Sequence, residues 1–247
     1  MKTRPNILTI AGFDPSGGAG ILADIKTMEQ NGCIGMAVQT ANTIQTGDKF
    51  LSCNWIDEAI VQAQLELLLS TYKFDVVKIG LVPNLKSLNQ WLNICLTHYP
   101  ALKIVWDPVL SASAGFNFQH NLDDLAETLA LVDFITPNWE EAKILSGNED
   151  AIIGAAELSK YCAVLLKGGH HPTQLGKDRL FLSEKTLNFN PKPYQCSPKH
   201  GSGCIFASAL ACNIAKGYPI HKSVLKSKRY IEAVLSSQTG LIGYHAP

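Results

Sequence analysis

The sequence is short of the features that mark several large classes of protein. Charged residues make up only 17% of its 247 residues, and 21 Lys and Arg balance 21 Asp and Glu. No excess of basic charge therefore favours nucleic acid or a membrane surface as a partner. No apolar run is long enough to span a bilayer, and the polar residues 1–6 do not resemble the start of a secretory signal. We expect small molecules as the partners, and neither nucleic acid nor a membrane.

The seven cysteines are widely scattered, and no two of them form a Cys-x-x-Cys pair. This spacing argues against a zinc site and a disulfide framework, and it is typical of reduced thiols in a cytosol. We therefore expect a cytoplasmic protein. The chain also lacks internal repeats, low-complexity tracts and linkers rich in Pro, Gly or Ser, which predicts one domain over residues 1–247.

Hydrophobic residues account for 46% of the chain, enough for a sizeable core, and they fall in short runs that alternate with amphipathic segments. This alternation predicts an α/β fold with a mainly parallel sheet covered by helices on both faces. The predicted strands are 6–11, 36–40, 76–79, 104–107, 134–136 and 163–167, followed by an edge pair at 179–182 and 186–190. The predicted helices are 19–30, 57–71, 85–98, 123–131, 140–145, 202–216 and 221–239.

Two glycine-rich segments each stand directly before a predicted helix. The first also follows a predicted strand, and sheets of this kind bind ligands at the carboxyl ends of their strands. The first, residues 11–20, matches the dinucleotide fingerprint only weakly, because no acidic residue ends the second strand, and it lacks the Gly-Lys-Ser/Thr of a P-loop. Its glycines either let a ligand approach the backbone or form a tight turn between strand and helix.

The second glycine-rich segment, residues 200–204, stands directly before an apolar helix. Free N–H groups at a helix start bind anions and suit a phosphoryl group in transfer, although the same residues are also typical of a plain helix cap. Cys204 lies in the first turn, where the helix field would lower the pKa of its thiol. As an alternative, Cys204 is a small buried residue.

These two segments and four shorter motifs between them resemble, in order, the hydroxymethylpyrimidine/phosphomethylpyrimidine kinases of thiamin biosynthesis, a branch of the ribokinase-like superfamily. The resemblance covers essentially the whole chain. The motifs are Asp14 to Gly20 with Ala23 to Thr27, Lys78-Ile79-Gly80, Asp107-Pro108-Val109, Thr136-Pro137-Asn138 with Glu141-Ala142, Lys167 to His170, and His200 to Cys204.

The resemblance implies a three-layer αβα sandwich, ATP and Mg²⁺ as cofactors, and phosphorylation of the hydroxymethyl group of 4-amino-5-hydroxymethyl-2-methylpyrimidine and of its monophosphate. It places the pyrimidine against Gly12, Asp24, Gln45, Leu81 and Val109. Asp24 and Gln45 can supply the hydrogen bonds that a buried aminopyrimidine requires. Asp24 could instead pair with an amine such as Lys26, and Gln45 could be a solvated loop residue.

The same resemblance assigns the phosphate side of the site. It implies that Asp107 and Glu141 lie near Mg²⁺, through water, and that Asn138 and Lys167 face the nucleotide phosphates. An anion hole would consist of Gly201, Ser202, Gly203 and Cys204, with Cys204 and Lys167 as the catalytic residues. The alternative for Lys167 is a surface lysine beyond a strand. A homodimer is expected from the resemblance alone.

The chain departs from the family pattern in the loop after Gln45, where Thr46 to Phe50 replace the usual Asn-Thr-x-Gly-Val, and at Lys199, which adds a positive charge before the anion hole. The altered loop keeps a pyridoxal, pyridoxine or pyridoxamine kinase of the same superfamily open as the alternative function. A binding protein without turnover and a nucleotide-dependent oxidoreductase are the more distant alternatives.

Overall fold

The computed structural model describes residues 3–110, 121–171 and 173–245. The strands are β1 (Asn6–Phe13), β2 (Ile34–Gln45), β3 (Phe50–Trp55), β4 (Val76–Ile79), β5 (Lys103–Trp106), β6 (Phe134–Ile135), β7 (Ala163–Leu166), β8 (Asp178–Leu182) and β9 (Lys185–Phe189). The helices are α1 (Gly20–Gln30), α2 (Glu58–Thr71), α3 (Leu85–His98), α4 (Leu125–Leu131), α5 (Trp139–Ser146), α6 (Ala151–Leu158), α7 (Ser202–Ala215) and α8 (Ile220–Leu235), with one turn of 3₁₀ helix at Gly168–His170.

The nine strands form one sheet in the order β3-β2-β1-β4-β5-β6-β7-β8-β9. The six strands from β2 to β7 in this order are parallel, whereas β3, β8 and β9 pair antiparallel at the two edges. Connections between parallel strands cross over through helices, which places every loop after a parallel strand at the same edge of the sheet.

The sheet is the middle of three layers, because neighbouring residues of a strand point to opposite faces. On one face Leu8 and Ile10 of β1 pack in a core with residues of α2 to α6. On the other, Ile7 packs in a second core with residues of α1, α7 and α8. The expected α/β sandwich with a mainly parallel central sheet is thereby confirmed. One domain over residues 1–247 stays a prediction, since that range includes residues outside those described.

Two elements, β3 and α6, were not predicted from the sequence. The residues of edge strand β3 are exposed or only partly buried, with Leu51 72% exposed, and they show no clear apolar alternation. Helix α6 is short and contains Gly154, which usually weakens a helix but here lets α6 approach Ser146 of α5 closely. Strand β2 also runs on to Gln45, and from Thr43 to that residue it pairs with β3 alone.

Candidate active site

The predicted site residues lie at the sheet edge where the parallel strands end. Gly12 is the second-last residue of β1. Leu81 follows β4, Asp107 follows β5, Asn138 follows β6 and Lys167 follows β7. Helix α7 begins at the same edge and contacts the strands of the sheet centre. The fold therefore brings motifs from both ends of the chain to one place.

The two glycine-rich segments contact each other directly. Gly201 has φ of 72°, and a Cβ there would lie against the carbonyl group of Gly18, far inside contact distance. A Cβ at Gly18 would in turn lie 2.7 Å from the imidazole of His200. Gly20, at φ of 58°, approaches the carbonyl of Gly12 in the same way. The glycines thus serve a close backbone approach that larger residues would prevent.

Asp14 and His200 hold these two segments together, a role that the sequence analysis did not assign. The Asp14 carboxylate accepts hydrogen bonds from the backbone and hydroxyl of Ser16 and from the backbone of Ala19. The Nε2 atom of His200 lies 2.9 Å from Asp14 Oδ2. Burial works to raise the pKa of Asp14, but the hydrogen bonds from His200 and Ser16 hold that pKa below its usual value.

Lys167, Asp107 and Glu141 form a buried cluster next to α7. The Lys167 ammonium lies 2.7 Å from Asp107 Oδ1 and 3.8 Å from Glu141 Oε2. Gly203 leaves room for it, since a Cβ there would lie 3.1 Å from Lys167 Nζ and 3.5 Å from Asp107 Oδ2. The structure therefore places the charge of Lys167 against the start of α7, and it excludes the alternative of a surface lysine.

The three charged groups of this cluster shift one another's pKa values. Burial works to lower the pKa of Lys167, but Asp107 and Glu141 outweigh it and raise that pKa. Burial works to raise the pKa of Asp107, but Lys167 and Lys78 hold it below its usual value. Burial raises the pKa of Glu141 to about 7, against the attraction of Lys167 and with repulsion from Asp107 added. Of the two carboxylates, Asp107 is therefore the one that stays ionised at neutral pH.

Asn138 and Glu141 also build the start of α5. The Asn138 side chain accepts a hydrogen bond from the Glu141 backbone, and the Glu141 carboxylate accepts one from the Asn138 backbone at 2.7 Å. This capping box fixes the Glu141 carboxylate beside Lys167. The side-chain oxygen of Asn138 serves the helix in this arrangement.

Helix α7 begins at Ser202, after Gly201, and has no side-chain cap at its N-terminus. The backbone N–H groups of its first turn, from Ser202 to Cys204, therefore remain available at the site. The start of α7 thus has the open backbone donors that an anion hole requires, and its role as an anion hole stays a prediction.

The prediction of a lowered thiol pKa at Cys204 is wrong. Burial raises the pKa of the Cys204 thiol to about 11. Lys78 lowers this pKa, but Asp24 and Asp107 raise it further. The sequence showed the helix start and not the two carboxylates, which lie far from Cys204 along the chain.

Asp24 lies beneath the site rather than in its surface. It is 0% exposed, and its two oxygens accept hydrogen bonds from Thr9, Ser208 and Lys78, with Lys78 Nζ at 2.8 and 3.0 Å. Because these bonds fill the acceptor positions of the carboxylate, direct contact between Asp24 and a substrate does not fit this geometry. Its amine partner is Lys78 and not Lys26, which bonds to the carbonyl of Gly17 instead.

Gly12, Leu81 and Val109 lie at the ends of neighbouring strands. A Cβ at Gly12 would lie 3.1 Å from the Leu81 side chain, so these two residues pack against each other. Val109 follows Asp107 after β5, is partly buried, and donates its backbone N–H to the Asp107 carbonyl. Gly12 and Leu81 form an apolar floor on the β1 and β4 side of the site, and Val109 follows the neighbouring strand β5.

Gln45 ends strand β2 instead of lying in a loop. Its amide donates to the Thr43 hydroxyl at 2.8 Å, and that hydroxyl donates to the carbonyl of Phe13, the residue after Gly12. Gln45 is partly buried, and its amide oxygen accepts no hydrogen bond from the described residues. The side chain is therefore ordered near the apolar floor, with one polar atom to offer a ligand.

Lys199 does not add its charge to the anion hole. Its ammonium donates to the hydroxyl of Ser197 and to the carbonyl of Gln238, and the residue is buried. The backbone of His200 next to it bonds to the carbonyl of Leu241. Lys199 therefore fastens the C-terminal segment, residues 236–245, to the chain before α7.

Two carboxylates of the cluster fit a divalent cation. Among the described residues, no hydrogen bond uses Asp107 Oδ2 or Glu141 Oε1, and no group of three or more Asp, Glu, His or Cys side chains could hold a metal alone. Mg²⁺ commonly takes one or two carboxylates and completes its shell with water and substrate phosphates. The donors present suit Mg²⁺ that arrives with a nucleotide.

Comparisons with known proteins show which family the chain belongs to. The model of the phosphomethylpyrimidine kinase family matches residues 14–247. A hydroxymethylpyrimidine/phosphomethylpyrimidine kinase of Staphylococcus aureus is 32% identical over 92% of this chain and 87% of its own length.

Two solved structures are similar over most of the chain. The pyridoxal kinase of Staphylococcus aureus in complex with AMP-PCP has a TM-score of 0.82 and 25% identity over 95% of this chain and 89% of its own. The phosphomethylpyrimidine kinase of Clostridium difficile has a TM-score of 0.76 and 30% identity over 92% of this chain and 98% of its own.

The fold, the glycine-lined start of α7 and the adjacent lysine define the chain as an ATP-dependent small-molecule kinase of the ribokinase-like class. Within that class, the chain belongs to the phosphomethylpyrimidine kinase family. In the described part of the chain, no helix is long and apolar enough to cross a membrane. A cytoplasmic location and a homodimer stay predictions.

Proposed function

We propose that this chain transfers the γ-phosphoryl group of ATP to the hydroxymethyl group of 4-amino-5-hydroxymethyl-2-methylpyrimidine, and then phosphorylates the monophosphate, in thiamin biosynthesis. The observation that carries the proposal is one juxtaposition. The Lys167–Asp107 pair lies against the first turn of α7, and the apolar floor of Gly12 and Leu81 lies on the neighbouring strands. This juxtaposition supports a phosphoryl site next to a site for a small ring.

On the phosphate side, Lys167 and the N–H groups from Ser202 to Cys204 would bind the phosphoryl group in transfer. Negative charge spreads over the peripheral oxygens of that group in the transition state. Donors that are already fixed in a buried site stabilise such charge without reorganising. The Asp107 contact holds the Lys167 ammonium in place for this role.

Asp107 and Glu141 would hold Mg²⁺ through their open oxygens, directly or through water. The ion would neutralise charge on the nucleotide phosphates when bound. Asn138 acts through Glu141, since its capping bonds fix the direction of that carboxylate. Loss of Asn138 or of Glu141 would therefore affect metal binding as well as the start of α5.

Cys204 completes the anion hole and faces the acceptor hydroxyl as a neutral thiol. With a thiol pKa of about 11, only a small fraction is thiolate near neutral pH. A dissociative phosphoryl transfer needs little proton removal before the bond to the leaving group breaks. Orientation of the hydroxyl by the helix start would then matter more than basicity.

On the acceptor side, the ring would lie on Gly12, Leu81 and Val109, with the amide of Gln45 at its edge. Gly12 leaves a surface free of a side chain, and Leu81 and Val109 offer apolar contacts. The free amide oxygen of Gln45 suits the amino group of a pyrimidine. Asp24 would act from below, without touching the ring.

Initial rates of ADP formation test the proposal. ATP and Mg²⁺ are kept saturating while hydroxymethylpyrimidine, its monophosphate and pyridoxine are titrated separately. A much higher kcat/KM for the two pyrimidines than for pyridoxine is the expected result. Binding of a pyrimidine without ADP formation would contradict a kinase, and would favour a protein that binds ligand without turnover.

A vitamin B6 kinase is the second candidate, supported by the structural similarity to a pyridoxal kinase over nearly the whole chain. The turn after Gln45, which departs from the usual pyrimidine-kinase sequence, lies on that side of the site. A preference for pyridoxine in the same assay would assign the chain to B6 salvage and leave the roles of the phosphate side unchanged.

A further inference from the structure

A buried ion pair lies beneath the site, and its lysine has no part in the function proposed so far. Lys78 of β4 is 0% exposed, and its ammonium bonds to both oxygens of Asp24, which is also 0% exposed. Lysine is almost never fully buried without such a partner. A buried ion pair adds little net stability compared with apolar residues of the same size, so its position calls for another explanation.

The Lys78 ammonium points toward the active-site edge of the sheet. A Cβ at Gly80 would lie 3.0 Å from Lys78 Nζ and 2.9 Å from the Cβ atom of Ala11. Gly80 and Ala11 each precede a floor residue, Leu81 and Gly12 respectively. The absence of a side chain at Gly80 therefore gives the ammonium its place directly below the floor.

The same ion pair faces the start of α7. Ser208 of that helix donates to Asp24 Oδ1 at 2.7 Å. Cys204 precedes Ser208 by four residues, so the two side chains lie on one face of the helix. The face of α7 that carries Cys204 is thus the face that rests on Asp24 and Lys78.

Four charged groups surround Cys204, each from a different element. Lys78 comes from β4, Asp24 from α1, Asp107 from the end of β5 and Lys167 from the end of β7. Lys167 is bound by Asp107 and would be occupied by the phosphoryl group. Lys78 is the other cation, and its ammonium lies by Gly80, next to the floor residue Leu81.

We propose that Lys78 is a positioning residue of the acceptor site, whose ammonium, held by Asp24, is the fixed positive charge below Cys204 and the acceptor hydroxyl. It orients both groups and favours release of the hydroxyl proton, which passes to an oxygen of the transferred phosphoryl group once the bond to ADP has broken and the new O–P bond forms. The charge is rigid and dry, which makes it more effective than a solvated one. The role toward the hydroxyl rests on the proposed function, whereas the role toward Cys204 does not.

The direction of the electrostatic effects supports this role. After burial, which raises the pKa of Cys204, Lys78 has the largest influence on that thiol and lowers its pKa. Burial works to lower the pKa of Lys78 itself, but Asp24, Cys204 and Asp107 outweigh it and raise that pKa. Lys78 therefore keeps its charge despite its burial.

The test measures the reactivity of Cys204 independently of kinase activity. Native enzyme is treated with iodoacetamide at a fixed pH of about 8.5, and alkylation of each cysteine is followed by peptide mass spectrometry. Cys196, which is exposed, serves as the internal reference in the same sample. Lys78→Gln is compared with wild type and with Lys103→Gln, which removes a half-exposed lysine at the opposite end of β5.

We expect Lys78→Gln to slow alkylation of Cys204 on the order of 10-fold for each unit by which its thiol pKa rises, with Cys196 unchanged. Turnover with saturating acceptor should fall at least about 10-fold, while the KM for ATP stays within about twofold. Lys103→Gln should match wild type in both measurements. Cys204 alkylation that is unchanged or faster in Lys78→Gln would overturn the proposal, because loss of a nearby positive charge that lowers the thiol pKa must slow the reaction.

A second variant covers the case in which Lys78→Gln does not fold. Lys78→Met with Asp24→Asn removes both charges and keeps a polar group for Thr9 and Ser208. Slower Cys204 alkylation is expected here too, because Lys78 influences the thiol more than Asp24 does. An unchanged or faster rate would again overturn the proposal. If no acceptor supports ADP formation in wild type, the proposed function fails, and the alkylation result still decides the role of Lys78.

Discussion

The imidazole of His200 and the carboxylate of Asp14 join the two glycine-rich segments of the site across 186 positions of sequence, with Nε2 2.9 Å from Oδ2. Asp14 shapes its own segment through Ser16 and Ala19. His200 directly precedes the left-handed Gly201 and the start of α7. One hydrogen bond therefore sets the orientation of the anion hole relative to the loop after β1.

Replacing His200 should weaken both the fold and catalysis. His200→Ala removes a buried hydrogen bond to a carboxylate, which we expect to cost about 1.5–3 kcal/mol of unfolding free energy in urea titration. The value of kcat/KM should fall for every acceptor, because the anion hole is no longer held in place. His200→Gln, which can present a donor near the position of Nε2, should recover part of both losses.

His98→Ala is the control for this experiment, since His98 is exposed at the end of α3. It should leave unfolding and turnover unchanged. An unfolding free energy of His200→Ala equal to that of wild type would contradict the idea that this hydrogen bond joins the two segments.

Substitutions at two matched glycines can distinguish the cost of losing the contact between the glycine segments from the cost of backbone strain. Gly201 and Gly217 have nearly the same backbone, with φ of 72° and 74°. A Cβ at Gly201 would overlap the backbone of Gly18 and Ala19, whereas a Cβ at Gly217 meets nothing within 4 Å. Ala at Gly217 should therefore cost only the strain of a left-handed residue, about 1–2 kcal/mol.

Ala at Gly201 should cost that strain and several kcal/mol more, and the protein that still folds should have a markedly lower kcat. Thermal and urea unfolding of both variants, with ADP formation at saturating substrates, gives the comparison. Equal losses in the two variants would mean that the segments separate easily and that their contact is not needed for the site.

The sequence predicted what depends on short stretches of chain. Strands and helices follow from local periodicity, and the glycine segments are visible as such in the sequence. The role of Lys167 was expected from the family resemblance and not from the strand pattern. Edge strand β3 was missed because its side chains are exposed or only partly buried, which leaves no apolar alternation in the sequence. The capping box of Asn138 and Glu141 could have been recognised from its spacing alone.

Contacts between distant residues were beyond local patterns. Nothing near Asp14 in the sequence indicates His200 as its partner, and Lys78 stands inside a strand where its burial is invisible. The thiol pKa of Cys204 was predicted with the wrong sign because a helix start is a local feature, whereas burial and the carboxylates of Asp24 and Asp107 depend on the whole fold.

Stability should depend on pH through Glu141, measured without metal. Burial raises its pKa from 4.5 to about 7 in the folded state. The folded protein then binds more protons than the unfolded chain between these values, so the unfolding free energy falls as pH rises from about 4.5 to about 7. Below and above that interval Glu141 contributes no further change. The contribution of Glu141 should be about 3 kcal/mol.

Glu141→Gln should flatten this part of the curve in urea titrations between pH 5 and 8. The slope will not vanish, because the pKa of Asp178 is also raised by burial. Glu140→Gln is the matched control, since Glu140 lies in the same helical turn and is 74% exposed. Identical curves for Glu141→Gln and wild type would show that Glu141 titrates as an ordinary carboxylate.

The state of Cys204 predicts the pH dependence of turnover. A thiol with a pKa of about 11 stays neutral between pH 8 and 9.5, so a reaction that depends on orientation should show a nearly constant kcat there. A reaction that needs the thiolate as base would instead gain about 10-fold in kcat for each pH unit. We expect the constant profile in wild type, and a loss of about 10-fold in Cys204→Ala at every pH. Cys196→Ala, at an exposed thiol, should behave as wild type. A steep rise with pH in wild type that disappears in Cys204→Ala would establish Cys204 as the general base and limit the anion hole to binding.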